Sequence, residues 1–186
     1  MYLRKNTPPS FWRDTPWGRR LVVVISVIFC CILLMVRIPG LELVGVTPNW
    51  LLIWLVTWSV KRNLWHSIIA AVNLGLLWDS LTGVFPSHLL GLLAVALLTT
   101  NVYRDEYVKE DAISIMLIVF GMVIINETVI ALQYSLLSSI PQLDIWLNYQ
   151  KNSLASAVVS SLWAPLVYFP LSPLLHPPTS RKPRLP

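Results

Sequence analysis

The sequence predicts an all-α integral membrane protein, a bundle of six transmembrane helices with both termini cytoplasmic. Three observations lead there. Of 186 residues, 55% are apolar and 12% charged, whereas an average soluble domain carries about 25% charged residues; so few charges cannot cover a water-facing surface. The apolar residues fall into runs separated by short polar or proline-bearing breaks, and the mean hydropathy is +0.64. Crossing about 30 Å of hydrocarbon takes roughly 20 helical residues, so six crossings with short loops fill the chain and leave no room for a soluble domain. Lastly, Lys and Arg are distributed very unevenly between the breaks.

Residues 1–18 read as a cytoplasmic interfacial tail: Pro8, Pro9 and Pro16 oppose a continuous helix, and Phe11, Trp12 and Trp17 suit headgroup depth. The membrane domain is residues 19–176. A first span is expected over 21–36, stopped by Arg37, Pro39 and Gly40. A second, over 48–60, is short, and 41–47 is apolar enough to extend it at the cost of placing Glu42 near the interface. Lys61, Arg62 and Asn63 make a polar turn into a third span at 64–78. The stretch 79–87, with Gly83 and Pro86, then breaks the helix. A fourth span at 89–100 is expected to start from about Val84. Residues 101–111 are the most charged stretch and read as a solvated loop. A long fifth span covers 112–137, a polar loop 138–152, and a sixth span 154–175, interrupted by Pro165, Pro170 and Pro173. Proline kinks a membrane helix without excluding one, since neighbouring helices satisfy the freed carbonyls. Residues 177–186 form a basic, proline-rich cytoplasmic tail.

If six spans alternate, twelve of the 14 Lys and Arg residues fall on one side, and only Arg37 and Lys151 on the other. Basic loops stay cytoplasmic, so both termini are placed inside. Dropping the short second span would reverse every later loop and spoil the split. The basic start preceding the first run lacks a small-residue cleavage pattern, so that run reads as a retained anchor.

The net charge of +5 does not indicate nucleic acid, because the basic residues sit in short groups and form no continuous stripe. Adjacent Cys30 and Cys31 lack metal-spaced partners and read as packing residues. The chain has no HExxH, GxSxG, P-loop or GxGxxG motif. An intramembrane aspartyl protease would need two facing aspartates, and only Asp79 lies by a suitable span. The expectation is therefore no enzyme, and no catalytic, cofactor-binding or metal-binding residues.

An ionisable side chain in hydrocarbon costs about 2.5–3.5 kcal/mol on insertion scales, which makes Glu127 and Asp79 the residues to explain. Glu127 lies about 22 Å along the fifth span at 1.5 Å per residue, beyond the midplane, and Asp79 ends a span running the same way. Both belong to the outer half, as a polar site or as a structural tie. Asn126 and Gln133, seven apart, share a helix face and suit interhelical hydrogen bonds, as does Asn73. His66 and His88 border breaks and read as interfacial.

The run Gly75-Leu76-Leu77-Trp78-Asp79-Ser80-Leu81-Thr82-Gly83, followed by Pro86 and Gly91 and preceded by Thr47-Pro48-Asn49-Trp50, resembles the rod-shape-determining protein MreD family. In that family a proline opens a helix, a basic turn follows, and a Gly-Leu-Leu-x-Asp-x-x-x-Gly run leads to a further glycine-bearing helix. The pattern covers Pro48 to Gly91, and Asn49 stands where family members often carry aspartate. The resemblance implies a non-enzymatic component of the bacterial elongation machinery at the inner membrane. Such a component binds an MreC-type bitopic partner and other elongation proteins, and couples filaments to peptidoglycan synthesis. Pro48, Gly75, Asp79, Gly83 and Gly91 then form a partner or packing motif. Gly75, Asp79 and Gly83, four apart, would line one stripe if the helix continued, presenting a bare face to a partner; alternatively Asp79 caps the chain that follows or accepts N–H groups of the 80–83 turn. The competing class is a small-molecule-binding transporter subunit like the substrate-binding components of energy-coupling-factor transporters.

Overall fold

The computed structural model describes residues 16–36, 45–60, 62–83, 86–102, 111–137 and 142–175, and these are helical apart from short caps and turns. Six helices follow in order: α1 (Pro16–Met35), α2 (Trp50–Ser59), α3 (Leu64–Thr82), α4 (His88–Val102), α5 (Ala112–Leu137) and α6 (Gln142–Leu175). Residues 1–15 of the tail expected over 1–18, the tail at 177–186 and most of the charged loop, 103–110, lie outside the described residues, whereas 16–18 are helix rather than tail.

Proline at the first position of α1 costs no hydrogen bond, because the first N–H groups of a helix have no partner, so the helix begins five residues before the apolar run. The short helix α2 is the centre of the molecule. Its ten residues span about 15 Å, half the hydrocarbon thickness, and every one except Trp58 is buried. A helix apolar on all sides belongs in a core, and α1, α3, α4 and α6 surround it. The expected extension through 41–47 does not occur in its described part: Gly45 turns the chain at φ +79° and residues 47–49 are not helical. Asn49 caps the helix instead. Its Oδ1 accepts from the Leu52 N–H (3.1 Å), while its own N–H donates to Ser160 Oγ (2.9 Å) on α6. Small residues along α6, Ser153, Ala157, Ser160 and Ala164, are buried and let neighbouring backbones approach closely. Trp54 Nε1 donates to Ser26 Oγ (2.8 Å) and ties α1 to α2.

Three further boundaries differ from the sequence expectation. Helix α3 continues one turn beyond Trp78 to Thr82, where Gly83 at φ +58° ends it by donating its N–H to the Asp79 carbonyl (2.8 Å). Helix α4 starts at His88 rather than near Val84, since Pro86 and Ser87 are not helical. Helix α6 starts twelve residues early, so 142–152 is helix rather than loop. Thr128 on α5 and Tyr149 share a 2.6 Å hydroxyl contact that anchors this extension.

The helices alternate in direction. The C-terminal part of α1, the N-terminus of α2, the C-terminus of α3 and the N-terminal half of α6 meet at one end, around a cavity that includes Leu34, Asn49, Trp78 and Ser156. At the other end Arg62, in the α2–α3 turn, donates to the Leu175 carbonyl at the close of α6 (3.1 Å) and lies 3.7 Å over the Trp58 ring. Among the described residues three stretches are long and apolar enough to cross a membrane: α3, α5 and residues Tyr149–Pro173 of α6. The outer face is apolar, with Ile113, Leu117 and Leu136 each at least 70% exposed. Such a surface suits hydrocarbon and would associate in water.

Candidate functional site

The hairpin joining α3 to α4 is organised by Asp79. Its backbone carbonyl closes α3 on Gly83, and its carboxylate closes the start of α4. Asp79 Oδ2 accepts from Ser87 Oγ (2.6 Å), and Oδ1 accepts from the His88 N–H (2.8 Å) and faces His88 Nδ1 at 3.0 Å. A carboxylate at a helix N-terminus meets unsatisfied N–H groups and the positive end of the helix dipole, an interaction of about 0.3–1 kcal/mol. Ser87 is itself the N-cap, accepting from the Leu89 N–H (3.2 Å). The His88 ring stacks on Trp78, centroids 4.4 Å apart and planes within 8°. The capping role thus falls on the chain after the turn, whereas the 80–83 N–H groups do not bond the carboxylate.

Ser, His and Asp meet here without forming a nucleophilic relay. Ser87 gives its proton to Asp79, and its oxygen takes the Leu89 N–H, so the hydroxyl is not presented to the imidazole as nucleophile to base. The two oxygens of Asp79 are engaged by Ser87 and His88 rather than by a second carboxylate. Among the described residues no group of three or more His, Cys, Asp or Glu side chains gathers where it could hold a metal.

Two glycines of the motif mark helix crossings. A Cβ on Gly75 would lie 2.6 Å from Leu89 Cα, so α3 and α4 touch backbone to backbone there. The bare strip expected around Gly75 is therefore covered by α4 and is not offered to a partner. Gly83 is not part of that strip, because the helix ends on it. A Cβ on Gly91 would run into Asn126 Oδ1, which places the α4–α5 crossing at this pair. Pro48 is buried ahead of the Asn49 cap and lines the cavity at that end of the bundle.

On α5, Asn126 and Gln133 both face α4. Gln133 Nε2 donates to the Ser87 carbonyl (3.0 Å), adding a third element to the Asp79 hairpin. Asn126 is fully buried; its Nδ2 lies 3.4 Å from Glu127 Oε1, and its Oδ1 has no hydrogen-bond partner. Asn73 donates to the Ile69 carbonyl of its own helix rather than across an interface. Glu127 points another way, into a cavity of about 340 Å³. Asn152 and Ser156 of α6 line it, together with Trp78 and the segment 45–49. Sequence reasoning missed Ser87 and His88 as partners of Asp79, and Trp78 as the ring stacked on His88. The available signal was Ser87, an N-cap residue directly before an apolar run.

A family model described as rod shape-determining protein MreD matches residues 18–176. No curated protein and no solved structure matches the chain. The match takes in all six helices almost entirely, including the Asp79 hairpin and both glycine crossings, and on that extent the chain belongs to the MreD family of rod shape-determining membrane proteins.

Proposed function

We propose that the chain maintains rod shape without catalysis, by holding an MreC-type bitopic partner in the inner membrane and coupling it to peptidoglycan synthesis, with six helices crossing and both termini cytoplasmic. The family match carries the shape role. The partner role draws on a groove of about 430 Å³ walled by α1 and α3 and floored by Trp54 and Trp58 of α2. It is almost wholly apolar, edged by His66 and Asn73 of α3. A single membrane helix with a matching apolar face would pack against that surface. Gly75 and Asp79 act indirectly, by fixing α3 against α4 and so setting one wall of the groove.

Depletion should make a rod-shaped host widen or round up while peptidoglycan precursors persist, because the defect lies in where synthesis is coupled. Filling the groove with Ala70→Phe should reduce recovery of the bitopic partner after gentle extraction, leaving protein abundance unchanged. Cells that keep their shape on depletion would refute the shape role. The second reading, a small-molecule-binding transporter subunit, is favoured by the Glu127 cavity; accumulation of a solute in vesicles lacking MreC would support it.

A further inference from the structure

We infer that the cavity at Glu127 is a binding site for a primary ammonium group. The carboxyl of Glu127 faces an open space of about 340 Å³ at the end of the bundle where α1, α2, α3 and α6 meet. Its one hydrogen-bond partner among the described residues is Asn126 Nδ2, at a long 3.4 Å, and no Lys, Arg or His of those residues pairs with it. A carboxylate at membrane depth is costly unless paired, so the site is complete only with a cation or a hydrogen-bond donor. The polar side chains Thr47, Asn49, Asn152 and Ser156 line the same cavity, beside the apolar Leu34, Val46 and Pro48.

Ligand classes separate on charge and geometry. An anion would meet the carboxylate and, among the described lining residues, no compensating Lys, Arg or His. A divalent metal is held mainly by several charged oxygen ligands, and Glu127 is the one carboxylate in this lining, with no group of three or more His, Cys, Asp or Glu side chains among the described residues. A compact ammonium presents three N–H donors on one charged atom, which matches one carboxylate surrounded by neutral acceptors. Such an ammonium can come from an ethanolamine phospholipid headgroup or from a free amine.

The site is independent of the partner groove, which lies between α1 and α3 and shares none of these side chains, so either can fail alone. The purified full chain would be titrated with phosphatidylethanolamine, phosphatidylglycerol and phosphatidylcholine in detergent, and bound lipid counted by native mass spectrometry. Ethanolamine and methylammonium would be titrated separately by calorimetry. Preference for phosphatidylethanolamine over both other lipids, weakened at least about tenfold (1.4 kcal/mol) in Glu127→Gln, assigns the site to a lipid headgroup. Binding of the free amines with the same loss, and no lipid preference, assigns it to a soluble amine. Equal retention of all three lipids with no amine binding, or binding unchanged in Glu127→Gln, overturns the inference. Asn152→Trp, which obstructs the cavity while keeping the carboxylate, must lower binding as well. Unfolding temperatures of both variants ensure that the loss is read on folded protein.

Discussion

Replacing Gly75 by alanine probes the backbone-to-backbone contact of α3 with α4. The new Cβ would sit 2.6 Å from Leu89 Cα, and ordinary contact begins near 3.4 Å, so α3 and α4 must part by about 0.8 Å. The obstacle is backbone, which cannot rotate away. A gap of 0.5–1 Å forfeits about a quarter to a half of each contact's attraction along the interface, and overpacking of this kind costs about 1–3 kcal/mol. Alanine also returns up to about 1 kcal/mol of helix propensity. Gly121→Ala, whose Cβ meets nothing within 4 Å, supplies the reference. The propensity gain cancels in the comparison, so Gly75→Ala should be less stable than Gly121→Ala by about 1–3 kcal/mol. Gly91→Ala should fall between them, because the Asn126 amide can turn aside. Thermal unfolding in one fixed detergent measures the order, with about 2–4 °C expected per kcal/mol for a chain of this size. If Gly75→Ala melts with Gly121→Ala, the close crossing of α3 and α4 is not where the structure puts it.

Asp79→Leu removes both carboxylate acceptors from the α4 N-terminus and should destabilise the hairpin by about 2–4 kcal/mol, whereas Asp79→Asn keeps an acceptor for the His88 N–H and should cost about 1–2 kcal/mol. Equal loss in both, measured by unfolding and partner recovery, would show that charge rather than capping dominates. Trp54→Phe removes the bond to Ser26 while retaining most of the ring, and should cost about 1 kcal/mol by the same unfolding assay; no change would mean that the bond does not tie α1 to α2. Reporter fusions at Gly40, Lys61, Ser87, Glu106, Asp144 and Pro186 should alternate out, in, out, in, out, in, and a cytoplasmic signal at Asp144 would invalidate the six-span topology.

Composition and the spacing of apolar runs were enough to read an all-α membrane chain, because a helix must satisfy its own backbone in hydrocarbon and needs a minimum apolar length to do so. The fifth helix was legible to the residue, as Asp111 and the Ser138-Ser139-Ile140-Pro141 break bound a run that stays strongly apolar despite Asn126, Glu127 and Gln133. The other boundaries were set by contacts that a single run does not encode. Helix α6 reaches back to Gln142 because Tyr149 meets Thr128, 21 residues earlier in the chain. The ten-residue α2 looked like a poor span in isolation, yet it is the core, because four neighbours bury it and Ser160, 111 residues away, takes the N–H of its cap residue. Asp79 and the motif glycines were visible as residues to explain, since intramembrane charge and small residues at helical spacing each carry a cost or a purpose. Which neighbour each meets was decided by tertiary structure alone. The fold turns Gly75 inward onto Leu89, folds Ser87 and His88 back onto Asp79, and leaves Glu127 facing an open cavity, placements that depend on how helices pack in three dimensions rather than on any local pattern.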